Sequence, residues 1–231
     1  MREIQYQQIV ETIRELCIEA NCHLPEDVQA AIQSARCTEC SPVGQAILGD
    51  LVENFTFAGQ RELPICQDTG MAVVFAELGQ ECHISGGLLE DAVNEGVARG
   101  YVEGNLRLSV VGDPLRRVNT NNNTPAILHL RLVEGDRLKL TVAPKGFGSE
   151  NMTRLKMFNP SATVEDVEDF IVSCVSEAGS NPCPPVIVGV GLGGRTTALS
   201  VAITPYGTHI AGMPCAVNLG CHVTRHAGKT L

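Results

Sequence analysis

Residues 128–142 read Leu-His-Leu-Arg-Leu-Val-Glu-Gly-Asp-Arg-Leu-Lys-Leu-Thr-Val, with apolar side chains alternating on either side of Glu134-Gly135-Asp136. Period-two alternation around a short turn with a central glycine predicts two antiparallel strands, Leu128 to Val133 and Leu138 to Val142, joined as a hairpin. Upstream, Met71 to Leu78 is apolar and β-like, and Gly86-Gly87 leads into a helical stretch through Asp91, Val97 and Tyr101. Nearer the N-terminus, Ile9, Ile13, Leu16, Cys17 and Ala20 recur at helical spacing. Leu24-Pro25-Glu26-Asp27 starts a second helix, and a helical stretch runs from Gly44 to Phe55 until Glu62-Leu63-Pro64 ends it. Downstream, Ser161-Ala162-Thr163 caps a helix from Val164 to Ala178, whose first turns carry Glu165, Asp166 and Glu168 as the helix dipole prefers. Pro185 to Val190 and Ala198 to Thr204 read as strands. No internal repeat, linker or low-complexity tract interrupts the series. The expected fold is α+β: helices over 1–62, then a mixed sheet with packed helices over 63–231, as one domain of one or two intimately joined subdomains.

A chain of 231 residues that is 44% hydrophobic can bury a substantial core. The net charge of −9 and pI near 5.1 argue against nucleic-acid binding, which needs a clustered basic face. Apolar runs are too short to cross a bilayer, and Met1 to Val10 is mixed polar, so no signal peptide, no membrane and a cytoplasmic location are expected. Ten cysteines in such a chain are expected as thiols, because a core of this size needs no disulfide staples. Charge is uneven along the chain. Glu177 is the last acidic residue, while Arg195, Arg225, Lys229 and three of the six histidines follow it. A tail without carboxylates suits an anionic ligand.

Several segments concentrate reactive groups. Pro64-Ile65-Cys66-Gln67-Asp68-Thr69-Gly70 places a thiol, an amide, a carboxylate and a hydroxyl on a turn before a strand. Asn181-Pro182-Cys183-Pro184-Pro185 surrounds one thiol with three prolines, which stiffen the backbone. Asn218-Leu219-Gly220-Cys221-His222 sets a third thiol beside a glycine, with Arg225 and His226 nearby to favour thiolate. Taken singly, each reads more readily as a small buried hydrophobe. Pro114 to Pro125 offers Arg116 and Arg117 with a run of asparagines, a forked cation and amides suited to a carboxylate. In Pro144 to Asn151, glycines open backbone N–H groups toward an anion beside Lys145. Both also read as plain polar loops.

Two other patterns carry less. Gly189-Val190-Gly191-Leu192-Gly193-Gly194 matches a dinucleotide fingerprint, but no helical sequence and no acidic residue follow. Cys37-Thr38-Glu39-Cys40 with Cys17, Cys22 and His23 could form a structural zinc or redox site, although the chain has no second C-x-x-C. Cys82, Cys174 and Cys215 read as packing residues.

In their order along the chain, these segments resemble the α subunit, or N-terminal domain, of class I iron–sulfur fumarate hydratases and the related tartrate dehydratases. The likeness rests on the Pro64–Gly70 turn, the run Arg117-Val118-Asn119-Thr120-Asn121-Asn122-Asn123-Thr124-Pro125, Pro144 to Met152, Cys183-Pro184-Pro185, Thr208-His209-Ile210-Ala211-Gly212 and Asn218 to His222. It implies an oxygen-sensitive hydro-lyase with a 4Fe-4S cluster on Cys66, Cys183 and Cys221. It further implies that Gln67, Asp68, Arg117 and Gly148 contact a small dicarboxylate, with Asp68 and His209 in proton transfer. Ser149-Glu150-Asn151 and Thr208-His209-Ile210 look more like fumarase than tartrate dehydratase. Three cysteine ligands leave one iron open as a Lewis acid, and an acid-free tail avoids repelling an anionic cluster and its substrate.

One departure stands out against the family pattern, in which a helical segment separates two glycine turns. Here Val186 to Gly191 runs straight into Leu192-Gly193-Gly194-Arg195-Thr196-Thr197, as though the two turns were fused and a segment between Gly191 and Leu192 lost. The cluster site is expected to survive only if that segment is peripheral, and an inactive deletion variant is an alternative reading. The few residues after Cys221 lead one to expect a separate β subunit, assembled as α2β2.

Overall fold

The computed structural model describes residues 1–193, 213–220 and 226–231, in two compact units: Met1–Lys145 with Arg225–Leu231, and Gly146–Thr224. Among the described residues no helix is long and apolar enough to cross a membrane.

The first unit opens with a short strand β1 (Arg2–Gln5) and helices α1 (Tyr6–Cys22), α2 (Glu26–Thr38) and α3 (Pro42–Arg61). Strands β2 (Met71–Gly79) and β3 (Cys82–Ser85), helix α4 (Leu89–Glu103), and strands β4 (Ile127–Val133) and β5 (Leu138–Lys145) follow. The helical period of α1 buries Ile9, Val10, Ile13, Leu16, Cys17 and Ala20 on one face. That face meets Ala92, Val93, Val97 and Tyr101 of α4 and the even-numbered residues of β2 and β5, among them Val74, Leu140 and Val142. Each such aliphatic side chain contributes about 1.5–3 kcal/mol by leaving water, so Ile13→Ala is the kind of change that would loosen the unit. Gly96 and Gly100 allow the close approach of α4, since a Cβ on Gly96 would lie 2.6 Å from Ile13 Cβ and one on Gly100 would lie 2.8 Å from Cys17 Cβ. Helix α3 stops where Glu62 turns left-handed at φ 52, as the sequence predicts.

The central sheet corrects the hairpin. Both predicted strands form, but β2 lies between them, in the order β4-β2-β5-β9, where β9 is Ala227–Thr230. β4 runs parallel to β2 from Val73↔Ile127 to Gly79↔Val133, and β5 runs antiparallel to it from Met71↔Lys145 to Leu78↔Leu138. The Glu134-Gly135-Asp136 turn therefore bridges the end of β2 and does not close a hairpin. Gly79 N–H donates to Arg137 O at 2.8 Å, Gln80 N–H to Val133 O at 2.9 Å and Glu81 N–H to Gly135 O at 2.9 Å. The apolar run Ala72-Val73-Val74, buried throughout, makes β2 the better central strand, while β4 exposes Leu130 and Leu132 at an edge. Gly79 is needed at the crossing, because a Cβ there would collide with the Gly135 carbonyl oxygen. β1 and β9 lacked a sequence signal. β1 pairs in parallel with β3, and β9 is held by β5.

The second unit contains α5 (Phe147–Glu150), β6 (Arg154–Phe158), α6 (Val164–Ala178), β7 (Ile187–Leu192) and β8 (Met213–Gly220). The Thr163 cap forms as read: its hydroxyl accepts Asp166 N–H, and Asp166 Oδ2 accepts Thr163 N–H at 2.8 Å. β8 is central, antiparallel to both neighbours, in the order β6-β8-β7. Phe158, Val167, Cys174, Ala178, Cys215 and Val217 make its core. Cys174 and Cys215 are thus packing residues, and burial pushes both thiols up. Gly189 and Gly191 lie inside β7, not on a turn opening a helix, which removes the dinucleotide reading. The expected strand Ala198–Thr204 lies outside the described residues.

Candidate active site

In the first unit, the turn from α3 to β2 presents Cys66, Gln67 and Asp68. The buried Ile65 anchors it. Its N–H donates to Asn21 O at 3.0 Å and its carbonyl accepts Asn54 Nδ2–H at 3.0 Å. Cys66 is half-buried, and its Sγ accepts the Asp68 N–H at 3.4 Å. Its thiol points to Gln67 Oε1 at 3.6 Å. Asp68 Oδ1 accepts the Gly70 N–H at 3.1 Å, a local turn that Gly70 completes at φ 65. Gln67 is exposed and Asp68 half-buried. Half-buried on a turn and outside the core clusters, Cys66 is placed as a loop ligand would be and not as a packing thiol.

The segment from 104 to 125 folds against that turn. Thr69 Oγ1 accepts Arg107 N–H at 2.9 Å and donates to Arg107 O at 3.2 Å. Arg107, which sequence reading passed over, is thereby fastened to the Cys66 turn while its residue stays exposed. Arg117 stands on an exposed tip at φ 54, where Asp113 O accepts its N–H at 2.8 Å and its Nε–H reaches Pro114 O at 3.4 Å. The asparagine run acts as internal bracing. Asn119 Nδ2 donates to Leu108 O at 2.8 Å, Asn122 Oδ1 accepts from Thr124, and Asn123 is fully buried. These amides shape the loop where the sequence suggested donors turned to a ligand. A signal was available: asparagine tolerates the left-handed backbone that Asn121 and Asn123 adopt.

In the second unit, Cys183 is exposed at φ 57, between Pro182 and a cis Pro184–Pro185 bond, and its N–H donates to Ser180 O at 3.0 Å. A non-glycine residue held in the left-handed region is unusual and marks a constrained turn. Gly148 adjoins this loop, since a Cβ there would sit 3.6 Å from Asn181 O. Gly220, at the end of β8, pairs with Ile187, at the start of β7. The sheet therefore brings the chain position preceding Cys221 to the strand end that follows Cys183. Cys221 and His209 themselves lie outside the described residues.

The zinc alternative finds no geometry. Cys17 and Cys22 are buried, and burial pushes the Cys17 thiol far up, away from the thiolate that zinc requires. Cys37 and Cys40 are exposed at the far end of α2. Among the described residues, no three His, Cys, Asp or Glu side chains gather as a metal site.

A family model described as fumarate hydratase (Fumerase) matches residues 10–196 and 190–230. Residues 190–196, which include Gly191, Gly193 and Gly194, fall in both stretches. A Methanocaldococcus jannaschii protein provisionally named L(+)-tartrate dehydratase subunit alpha is 36% identical over 202 residues, covering 84% of this chain and 70% of its own. The anaerobic class I fumarate hydratase of Escherichia coli K12 is 33% identical over 161 residues, covering 68% of this chain and 29% of its own length. An L(+)-tartrate dehydratase subunit alpha of Escherichia coli UTI89 is 29% identical over 200 residues, covering 83% of this chain and 65% of its own. The chain thus spans most of an alpha subunit but less than a third of that class I fumarate hydratase.

Proposed function

Because the chain belongs to the fumarate hydratase (Fumerase) family, we propose that it is the α-type subunit of a cytoplasmic hydro-lyase that reversibly hydrates fumarate to malate. The observation that carries this reading is the family match itself, which runs through all three cysteine motifs. A 4Fe-4S cluster held by Cys66, Cys183 and Cys221 would keep one iron free of protein sulfur and so supply a Lewis-acid position for the substrate's hydroxyl and carboxylate. The half-buried turn of Cys66 and the exposed, constrained turn of Cys183 both fit such a group.

The chain's own residues bind and orient. Gln67 and Asp68 contact the dicarboxylate from a turn whose shape the Asp68–Gly70 bond fixes. Arg107 and Arg117 attract its carboxylates, and Gly148 also contacts the substrate. Clamping a carboxylate raises the acidity of the adjacent carbon, and Asp68 and His209 move the proton or relay it. Hydration adds that proton to one alkene carbon and hydroxide to its neighbour; dehydration reverses both. A β subunit supplies the remaining carboxylate-binding groups, in keeping with relatives named alpha subunits.

A second reading, dehydration of tartrate, is favoured by the relative that matches at 36% identity over most of its length. Anaerobic assay of the chain with its β partner separates the two. Loss of fumarate absorbance supports the first, and oxaloacetate formed from tartrate supports the second. A loaded cluster with neither activity would instead indicate that the fused glycine turn has removed function.

A further inference from the structure

Two carbonyls at the end of the Cys66–Gly70 turn are satisfied by side chains from elsewhere. Thr69 O accepts the Tyr101 hydroxyl at 2.9 Å, and Gly70 O accepts Asn123 Nδ2–H at 3.0 Å. The donors come from α4 and from the loop before β4, so two distant segments grip consecutive peptide groups. Both donor residues are at 0% exposure. Asn123 Oδ1 also accepts the N–H groups of Ser109 at 2.8 Å and Val110 at 3.1 Å. Its amide thus links the turn to the segment beside Arg107. Burying a phenol oxygen and a primary amide costs free energy unless each is bonded, and an apolar core would be served better by phenylalanine at 101. Away from competing water, such bonds hold geometry firmly.

We propose that Tyr101 and Asn123 are positioning residues, whose donors on the adjacent Thr69 and Gly70 carbonyls fix the turn that presents Cys66, Gln67 and Asp68. What the turn presents rests on the function proposed above; the clamp does not. Neither residue touches substrate. Each acts by limiting local opening of residues 65–70, which would otherwise carry thiol, amide and carboxylate out of register.

Two nearly isosteric variants test this. Tyr101→Phe keeps the ring and removes only the hydroxyl, while Asn123→Asp keeps an acceptor for Ser109 and Val110 and removes the donor to Gly70. Hydrogen exchange is followed by mass spectrometry on the metal-free chain. Losing either donor is expected to speed exchange of the 65–70 amides by about tenfold, with residues 9–20 of α1 unchanged. In the reconstituted enzyme, iron and sulfide content should hold. The fumarate concentration that half-saturates the change in the cluster spectrum should rise severalfold. Unaltered exchange at 65–70, or equal acceleration in α1, overturns the proposal. Tyr101→Phe decides alone if Asn123→Asp does not fold. A parent chain that takes up no iron or sulfide would sink the cluster reading, while the exchange measurement would still judge the clamp.

Discussion

Replacing Gly96 by alanine sets two effects of opposite sign against each other. In an exposed helix the change stabilises by about 1 kcal/mol, because alanine has the higher helix propensity. In α4 the added Cβ would lie 2.6 Å from Ile13 Cβ, 2.7 Å from Val10 O and 2.8 Å from Ile13 Cγ2. The first two neighbours are a branched carbon near the backbone and a backbone carbonyl, so α1 and α4 must separate. Overpacking of this kind costs roughly 1–3 kcal/mol, and contacts this short argue for the upper end. The net expectation is destabilisation by about 2 kcal/mol, or a fall in melting temperature of ~4–8 °C for a unit of this size. Gly49→Ala in α3 is the control. Its Cβ would first meet the guanidinium end of Arg36, at 3.3 Å, which can swing aside, so it should be neutral or stabilising. The assay is urea unfolding with hydrogen exchange of α1 and α4 amides, since two compact units need not unfold together. A Gly96→Ala chain as stable as Gly49→Ala would refute the close packing of α1 on α4.

Cys66→Ser and Cys183→Ser should each abolish binding of iron and sulfide while leaving the melting curve almost unchanged, as both thiols lie off the core clusters; metal and sulfide analysis after anaerobic reconstitution is the check. Arg107→Met should raise KM for the dicarboxylate roughly tenfold or more, against about threefold for Arg117→Met, because a charge-assisted bond is worth ~1.5–3 kcal/mol and only Arg107 is fastened to the turn. His129 stacks on Phe75 with ring centroids 5.2 Å apart, its Nε2 is buried without a partner among the described residues, and burial holds its pKa below the ordinary value. The unfolded chain therefore takes up that proton first, so His129 lowers stability as pH falls below about 6.5 and on through its depressed folded value. His129→Phe should flatten that decline and add about 1 kcal/mol at neutral pH, read from urea midpoints across pH.

Much of this was legible in sequence. The helices α1, α3, α4 and α6 carry apolar spacing and stop or cap signals that depend on neighbours three or four residues away. The Thr163 cap is such a case, and it forms as read. The family likeness was legible too, because Cys66, Cys183 and Cys221 stand in motifs long enough to be specific even where each thiol alone was ambiguous. β1 and β9 were not legible: their pairing energy comes from β3 and β5, remote in the chain.

Local patterns determined the strands at 128–133 and 138–142 and the chemistry gathered at 64–70, since alternation and turn composition act over a few residues. Tertiary structure alone decided that β2 lies between those strands, that Cys17 belongs to the core, and that the asparagine run braces a loop. Each of these outcomes depends on competition for burial and for hydrogen-bond partners among segments far apart in sequence. Val73 and Val74 win the centre of the sheet, and Gly70 O captures Asn123, only because the folded chain brings them together.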